Sequence, residues 1–328
     1  EIRIITEMVR TAIILIAWLA TVFAIVALAA RYVPVINHAV LIVAALSPYL
    51  AIGASLFAAT ILLAASPRLA AIALLPALVA VAIQAPLFIA SGKPVDETVA
   101  VRVVTANVRE GLAKPGPLAA LARDHADVLL LQELSPELAS NLGGLDADFP
   151  YRAIDAQPFA SGIGIWSRHP IERPGRAPGY ELGVVTVVVH VPGISAPVPV
   201  MAAHLAGPAP QPIDDWKEDI TAFADTLVSL ANAAGPGAAI VAGDLNASSD
   251  MQPFRRLLDS GFRNAAEQAG AGLVRTFPAH RSWPALIGID HILTLNSTAT
   301  DVQTVPVPGS DHLGVVATIH VPRQVNTG

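Results

Sequence analysis

The chain opens on three long apolar stretches and then changes rhythm. No Asp, Glu, Lys or Arg occurs from Thr11 to Ala30, from Tyr32 to Pro67, or from Leu69 to Gly92. Crossing a bilayer core takes roughly 20 helical residues, so the pattern predicts three transmembrane helices at about 11–30, 39–66 and 69–90. The middle stretch is the longest and carries Pro48. Pro76 and Pro86 in the third would be costly in a water-soluble helix but are tolerated in membrane bundles, where neighbours satisfy the freed carbonyls. The alternative for the first stretch, a signal peptide cleaved near Ala27-Leu28-Ala29, is disfavoured by its long apolar core and by the two stretches that follow. Arg31 and Arg68 fall at predicted span ends, where snorkelling suffices to explain them, and no charged residue within a span supports transport.

The composition shifts abruptly at Ser91–Glu97, read as a linker over 93–98 between a membrane anchor (1–92) and a second domain (99–328). Short β-branched runs there alternate with Ala/Leu-rich amphipathic ones. Strands are predicted at Val99–Ala106, Val128–Leu131, Gly162–Trp166, Val184–Val191, Val198–Ala203, Ala239–Ala242, Ile289–Leu293 and Val315–Val321. Helices are predicted at Pro117–His125, Pro136–Leu142, Ile213–Ala234 and Gln252–Ser260. Paired sheets flanked by helices, an α/β arrangement, fit this order better than a simple parallel sheet.

Charge narrows the partners. Of 328 residues 53% are hydrophobic and 14% charged, with the apolar excess at the N-terminus. From Lys93 onward sixteen Lys and Arg stand against twenty-four Asp and Glu, a net charge of −8. That sign argues against nucleic acid, whose binding rests on neutralising many phosphates, and favours a small, locally focused phosphate group. With the N-terminus inside, Arg3, Arg10 and Arg68 are cytoplasmic and Arg31 is outside, so three spans make the second domain extracytoplasmic. The absence of cysteine is compatible with an oxidising exterior but does not assign a compartment.

Polar residues in the second domain recur where apolar runs end: Asn107, Gln132-Glu133, His204, Gly243-Asp244-Leu245-Asn246, Ile289-Asp290-His291 and Ser310-Asp311-His312. Strand ends gather at a sheet edge, so acidic, amide and imidazole groups are expected to converge there, with Glu133 and Asp244 facing solvent. Carboxylates that converge without matching cations need a metal ion, and oxygen ligands favour Mg2+, with Mn2+ as the alternative. Asp244 and Asn246, two apart on an extended segment, would point the same way. His291 would lie on the opposite face from Asp290.

The ordered set resembles the endonuclease/exonuclease/phosphatase superfamily over about Val99 to Pro322. The resemblance implies a four-layer α/β sandwich of two packed mixed β-sheets flanked by helices. It implies Glu133 as principal Mg2+ ligand, with Asn107 beside it and Asp311 as a further or second-site ligand. It implies Asp244 to orient or deprotonate the attacking water, Asn246 and His204 to face the phosphate, and Asp290 to hold His312 against the scissile group. Arg109 stands where some abasic-site enzymes carry an acid, which removes a metal arrangement using that acid. Three spans before such a domain resemble the membrane-anchored teicoplanin-resistance phosphatases of actinobacteria. This implies hydrolysis of a lipid-linked phosphate or pyrophosphate, polyprenyl pyrophosphate foremost, at the outer membrane surface, with roles in cell-wall synthesis and antibiotic resistance. The alternatives are a phospholipase C-like phosphodiesterase or anchored nuclease, and a non-catalytic phospho-ligand sensor. Specificity is expected in the loops Pro150–Ser161, Gly207–Trp216 and Arg275–Gly288; no feature names a protein partner.

Overall fold

The computed structural model describes residues 2–92, 97–209, 212–279 and 283–324. Lys93–Asp96 of the expected linker, 210–211 of the second expected specificity loop and 280–282 of the third lie outside the described residues. The chain forms two compact units, residues 1–86 with 249–252, and residues 87–248 with 253–328.

The first unit is helical: α1 (Ile2–Ala30), α2 (His38–Ala45), α3 (Ser47–Leu63), α4 (Pro67–Ala73) and α5 (Leu75–Gln84). Two helical stretches, Arg3–Ala30 and Pro67–Phe88, are long and apolar enough to cross a membrane. The expected middle span is not one straight helix, since α2 and α3 meet at 73°. Pro48, within the first turn of α3, has no N–H to continue the α2 ladder, so the helix restarts there. Packing is inside-out for a water-soluble protein. Small residues, Ala17, Ala58, Ala59, Ala70 and Ala73, fill the interior, while Leu19, Val22, Leu56, Phe57, Leu78 and Val81 are exposed. Close backbone approach through small residues is how helices associate in lipid. Arg31 does not snorkel: it is 7% exposed and pairs with Asp250, whose Oδ1 also accepts from Gln84 Nε2 at 2.8 Å. Asp250 neutralises a charge that would otherwise be buried alone.

Among the described residues the second unit contains twelve strands: β1 (Thr98–Asn107), β2 (Val128–Gln132), β3 (Tyr151–Asp155), β4 (Ile163–Ser167), β5 (Ile171–Arg176), β6 (Gly183–Val189), β7 (Val198–His204), β8 (Ala239–Asp244), β9 (Arg263–Asn264), β10 (Asp290–Leu295), β11 (Thr298–Pro306) and β12 (Leu313–Pro322). Its helices are α6 (Pro115–His125), α7 (Pro136–Asn141), α8 (Ile213–Ala234), α9 (Gln252–Leu257) and α10 (Ala265–Ala269). Two six-stranded mixed sheets run β11-β12-β1-β2-β4-β3 and β5-β6-β7-β8-β10-β9. Each contains one parallel pair, β1 with β2 and β7 with β8, bridged by α6 and α8. Between the sheets lies an aliphatic core of Val101, Val103, Leu130, Val185, Val200, Ile240, Ile292 and Ala317, among others. A second cluster, with Val104, Ala106, Leu129, Leu131 and Trp166, packs against Leu118 and Ala122 of α6 and Leu138 of α7. The result is the expected α/β sandwich.

Candidate active site

The alternation that fills the inter-sheet core also aims the polar groups at its end. Val101 and Val103 face that core, so Asn107, in step with them on β1, points the same way. The same two-residue period carries Val198, Val200 and Ala202 to His204, Ile240 and Ala242 to Asp244, and Ile292 back to Asp290. Register aligns the ends. Asn107 pairs with Gln132, His204 with Asp244, and Asp290 with Asp244. Both parallel pairs thus present their carboxyl ends together, where α/β folds place their ligands.

Asp244 is the centre of the cluster. Its Oδ2 accepts from Asn107 Nδ2 at 3.0 Å and lies 3.7 Å from both His204 Nε2 and His312 Nε2. Its Oδ1 accepts from the Asn246 backbone N at 2.9 Å. Asn107 Nδ2 also donates to Glu133 Oε1 at 2.8 Å, while its amide oxygen accepts from Arg109 N at 2.8 Å. Glu133 Oε2 takes Glu110 N at 2.7 Å. His204 Nδ1 stands 3.0 Å from Ala160 O, which makes Nδ1 the donor and leaves Nε2 toward Glu133 and Asp244. His312 Nδ1 meets Asp290 Oδ2 at 2.9 Å, and Phe277 covers the ring at 4.8 Å between centroids. Glu133 and Asn246 hold positive φ of 59° and 50°, a conformation costly for non-glycine residues and concentrated at functional sites.

Burial differs from expectation. Glu133 retains 16% side-chain exposure, but Asp244 is only 1% exposed, because its core-facing orientation encloses it among Asn107, His204 and His312. Asp311 faces Arg109, with its carboxylate 3.7 Å from Arg109 Nε, although its charge still reaches His312; its carbonyl accepts from Ala279 N at 2.6 Å. Asn246 Nδ2 donates to Leu205 O at 2.9 Å. His291, on the opposite face as expected, stacks on Phe254 at 4.2 Å and meets Ala247 O at 2.8 Å. Sequence reasoning assigned no role to Ser310, whose hydroxyl donates to Asn107 O at 2.8 Å and accepts from His312 N at 3.0 Å. That hydroxyl ties the end of β1 to His312.

The electrostatics separate the acids from the bases. Burial raises the Asp244 pKa and the nearby Asp290 charge adds to it, against the pull of His312 and His204. Burial alone would lower His312, but the Asp290 and Asp244 carboxylates outweigh it and push its pKa up to about 10. Burial holds His291 down at about 4, a neutral packing residue. Asp244 is therefore a carboxylate of raised basicity and His312 a cationic donor beside it.

The donor set fits a hard divalent cation. Glu133, Asp244 and Asp290 converge with two imidazoles, and Asp290 Oδ1 is buried with no hydrogen-bond partner. Ligand atoms of Asp244, Asp290 and His312 lie within 4.8 Å of one another, although the Asp290 to His312 bond suits an oriented imidazole better than a ligand pair. Glu133 is the more accessible carboxylate.

The sequence pattern of the endonuclease/exonuclease/phosphatase family matches residues 104–312. The chain belongs to that family. The match spans every residue of the cluster, from Asn107 to His312. The fold agrees with solved structures of the family's kind. An endonuclease/exonuclease/phosphatase from Bacteroides vulgatus is 14% identical with a TM-score of 0.55, over 68% of this chain and 99% of that one. Truncated TDP2 of Caenorhabditis elegans is 14% identical, TM-score 0.54, over 67% and 97%. The 3′ phosphatase NExo from Neisseria, bound to a product DNA hairpin, is 19% identical, TM-score 0.52, over 66% and 98%. No curated protein matches the sequence.

Proposed function

We propose that the protein is a membrane-associated, Mg2+-dependent phosphoester hydrolase acting on a lipid-linked phosphate or pyrophosphate, polyprenyl pyrophosphate foremost, at the outer membrane surface. The observation that carries the hydrolase reading is the convergence on Asp244 of Asn107 and two imidazoles, each fixed by its own partner. A binding-only site needs neither a carboxylate of raised basicity nor an oriented imidazole beside it.

Each residue then has a task. Asp244 accepts the proton of the attacking water, for which burial has raised its basicity. His312, held by Asp290, presents Nε2–H to a phosphoryl oxygen, and His204, held by Ala160 O, presents its own Nε2 from the other side. Asn246 offers its second amide hydrogen to the phosphate. Glu133, with Asn107 beside it, is the side chain to hold Mg2+, and Asp311 would join only by leaving Arg109. A bound divalent ion would offset the charge that builds on the phosphoryl oxygens.

Three observations support a lipid substrate. Unit one exposes large aliphatic side chains around an alanine interior, which suits lipid. The net charge of −8 from Lys93 onward opposes polynucleotide binding. Leu112 and Phe159, 62% and 76% exposed, sit on the loops that supply Glu110 N to Glu133 and Ala160 O to His204. A nuclease is the second reading, favoured by the similarity to a phosphatase solved with product DNA.

The test offers the detergent-solubilised protein undecaprenyl pyrophosphate, phosphatidylcholine vesicles and a 3′-phosphorylated single-stranded oligonucleotide. Phosphate release from the first at least about tenfold above the others supports the proposal. Preferential attack on the oligonucleotide, at its 3′ phosphate or along its backbone, would overturn it in favour of a nucleic-acid phosphatase or nuclease, and headgroup release from the vesicles in favour of the phosphodiesterase.

A further inference from the structure

Helix α8 holds the backbone of two segments that carry residues of the cluster. Trp216 is fully buried, and its Nε1–H donates to the backbone carbonyl of Asn246 at 3.0 Å. One turn further, Asp219 is 3% exposed and its two carboxylate oxygens take separate backbone donors: Oδ2 accepts from Ala206 N at 2.8 Å and Oδ1 from Glu181 N at 3.2 Å. Residues three apart lie on one helix face, so a single face grips two catalytic segments. Ala206 follows His204 by two residues, and Glu181 precedes Gly183, the residue paired with His204 across β6 and β7. The gripped segments are themselves joined, since Leu205 N donates to Asp244 O at 3.1 Å and Asn246 Nδ2 to Leu205 O at 2.9 Å.

From this geometry we infer that Trp216 and Asp219 are positioning residues, Trp216 for Asn246 and Asp219 for His204. Neither touches the cluster's reacting groups. Asn246 needs an external hold because its φ of 50° is disfavoured for a residue with a Cβ, and the indole N–H supplies one at the carbonyl that follows that angle. Asp219 acts where β7 leaves its sheet: without an acceptor, the buried Ala206 N would be stranded, and the half-buried Glu181 N would lose its tie to α8. Only a carboxylate presents two acceptors and no donor there, so an amide satisfies one of the two N–H groups.

The inference rests on the phosphoester-hydrolase reading, and the test separates the two. Full-length protein in detergent is assayed with bis(p-nitrophenyl) phosphate and Mg2+ for Trp216→Phe, Asp219→Asn and Asp219→Ala. Hydrogen exchange is followed in peptides covering 204–209 and 245–248. Trp216→Phe keeps an aromatic ring but loses the N–H together with the pyrrole half of the indole, so kcat is expected to fall about tenfold with KM within about threefold, and the melting temperature measures the share owed to lost packing. Asp219→Ala should lose on the order of a hundredfold in kcat, and Asp219→Asn should recover part of it. Exchange should rise at 245–248 in the Trp variant and at 204–209 in the Asp variants, with strand peptides unchanged. A purely structural role would lower the melting temperature of all three variants and leave kcat per folded molecule unchanged, which would overturn the inference. Unchanged exchange overturns it as well, whatever the activity. A wild type inert on every phosphoester refutes the hydrolase reading instead, and the exchange data then decide the clamp alone.

Discussion

Replacing Asp290 by Asn isolates the part of the site that depends on charge rather than shape. The carboxylate is 1% exposed and meets His312 Nδ1 at 2.9 Å. An amide has nearly the same volume and its oxygen can still accept from Nδ1–H, so the ring keeps its place while its anionic partner is lost. Taking one charge from a buried pair costs about 3–5 kcal/mol. Asp244, whose Oδ2 is 3.7 Å from His312 Nε2, remains to support the imidazolium, so the lower end of about 3 kcal/mol applies. If that loss falls on the transition state, in which His312 faces a phosphoryl oxygen, kcat drops by roughly two orders of magnitude. Steady-state hydrolysis of a chromogenic phosphoester by wild type and variant at equal metal loading measures it, with thermal melts as the control for folding. A folded variant with kcat within threefold of wild type would refute the role given to the pair.

Other perturbations probe different links. A Cβ at Gly243, whose φ is +154°, would stand 1.8 Å from Ala203 O, so Gly243→Ala should cost on the order of 3 kcal/mol or more by pushing β8 from β7; an unchanged denaturant midpoint would contradict this. His291 has a folded pKa of about 4, below its unfolded value of about 6.5. Its contribution is complete above the unfolded value and is lost as pH falls from there toward 4. Wild type should therefore lose on the order of 3 kcal/mol more than His291→Gln across that window, and parallel stability curves would show that His291 is not held neutral.

Much of the site was legible because its chemistry is written at strand ends. Asn107, His204, Asp244 and Asp290 continue the alternation of buried valines and isoleucines behind them, so the period that builds the core also predicts their convergence. What escaped lies where that period fails. The four strands not predicted, β3, β5, β9 and β11, are the edges of the two sheets. An edge strand pairs on one side only and carries charge and bulges: β5 is largely exposed and β11 alternates polar residues across a register shift. Helix α10, five residues long, is too short for a periodic signal. The bend between α2 and α3 was signalled by Pro48, but hydropathy alone merges the two. Long-range partners left no trace in the pattern: Asp250 looks like an ordinary loop acid until it meets Arg31, and Asp311 sits in the right motif yet faces Arg109.

The most direct measurement is phosphate release by the purified full-length protein with Mg2+, with a chelator, and with Asp244→Asn in Mg2+. Release that needs the metal and falls at least about a hundredfold in the variant is the outcome expected of a water-activating Asp244 beside a Glu133-held ion. Turnover that persists in chelator, or that survives in the folded variant, would contradict the account at its centre.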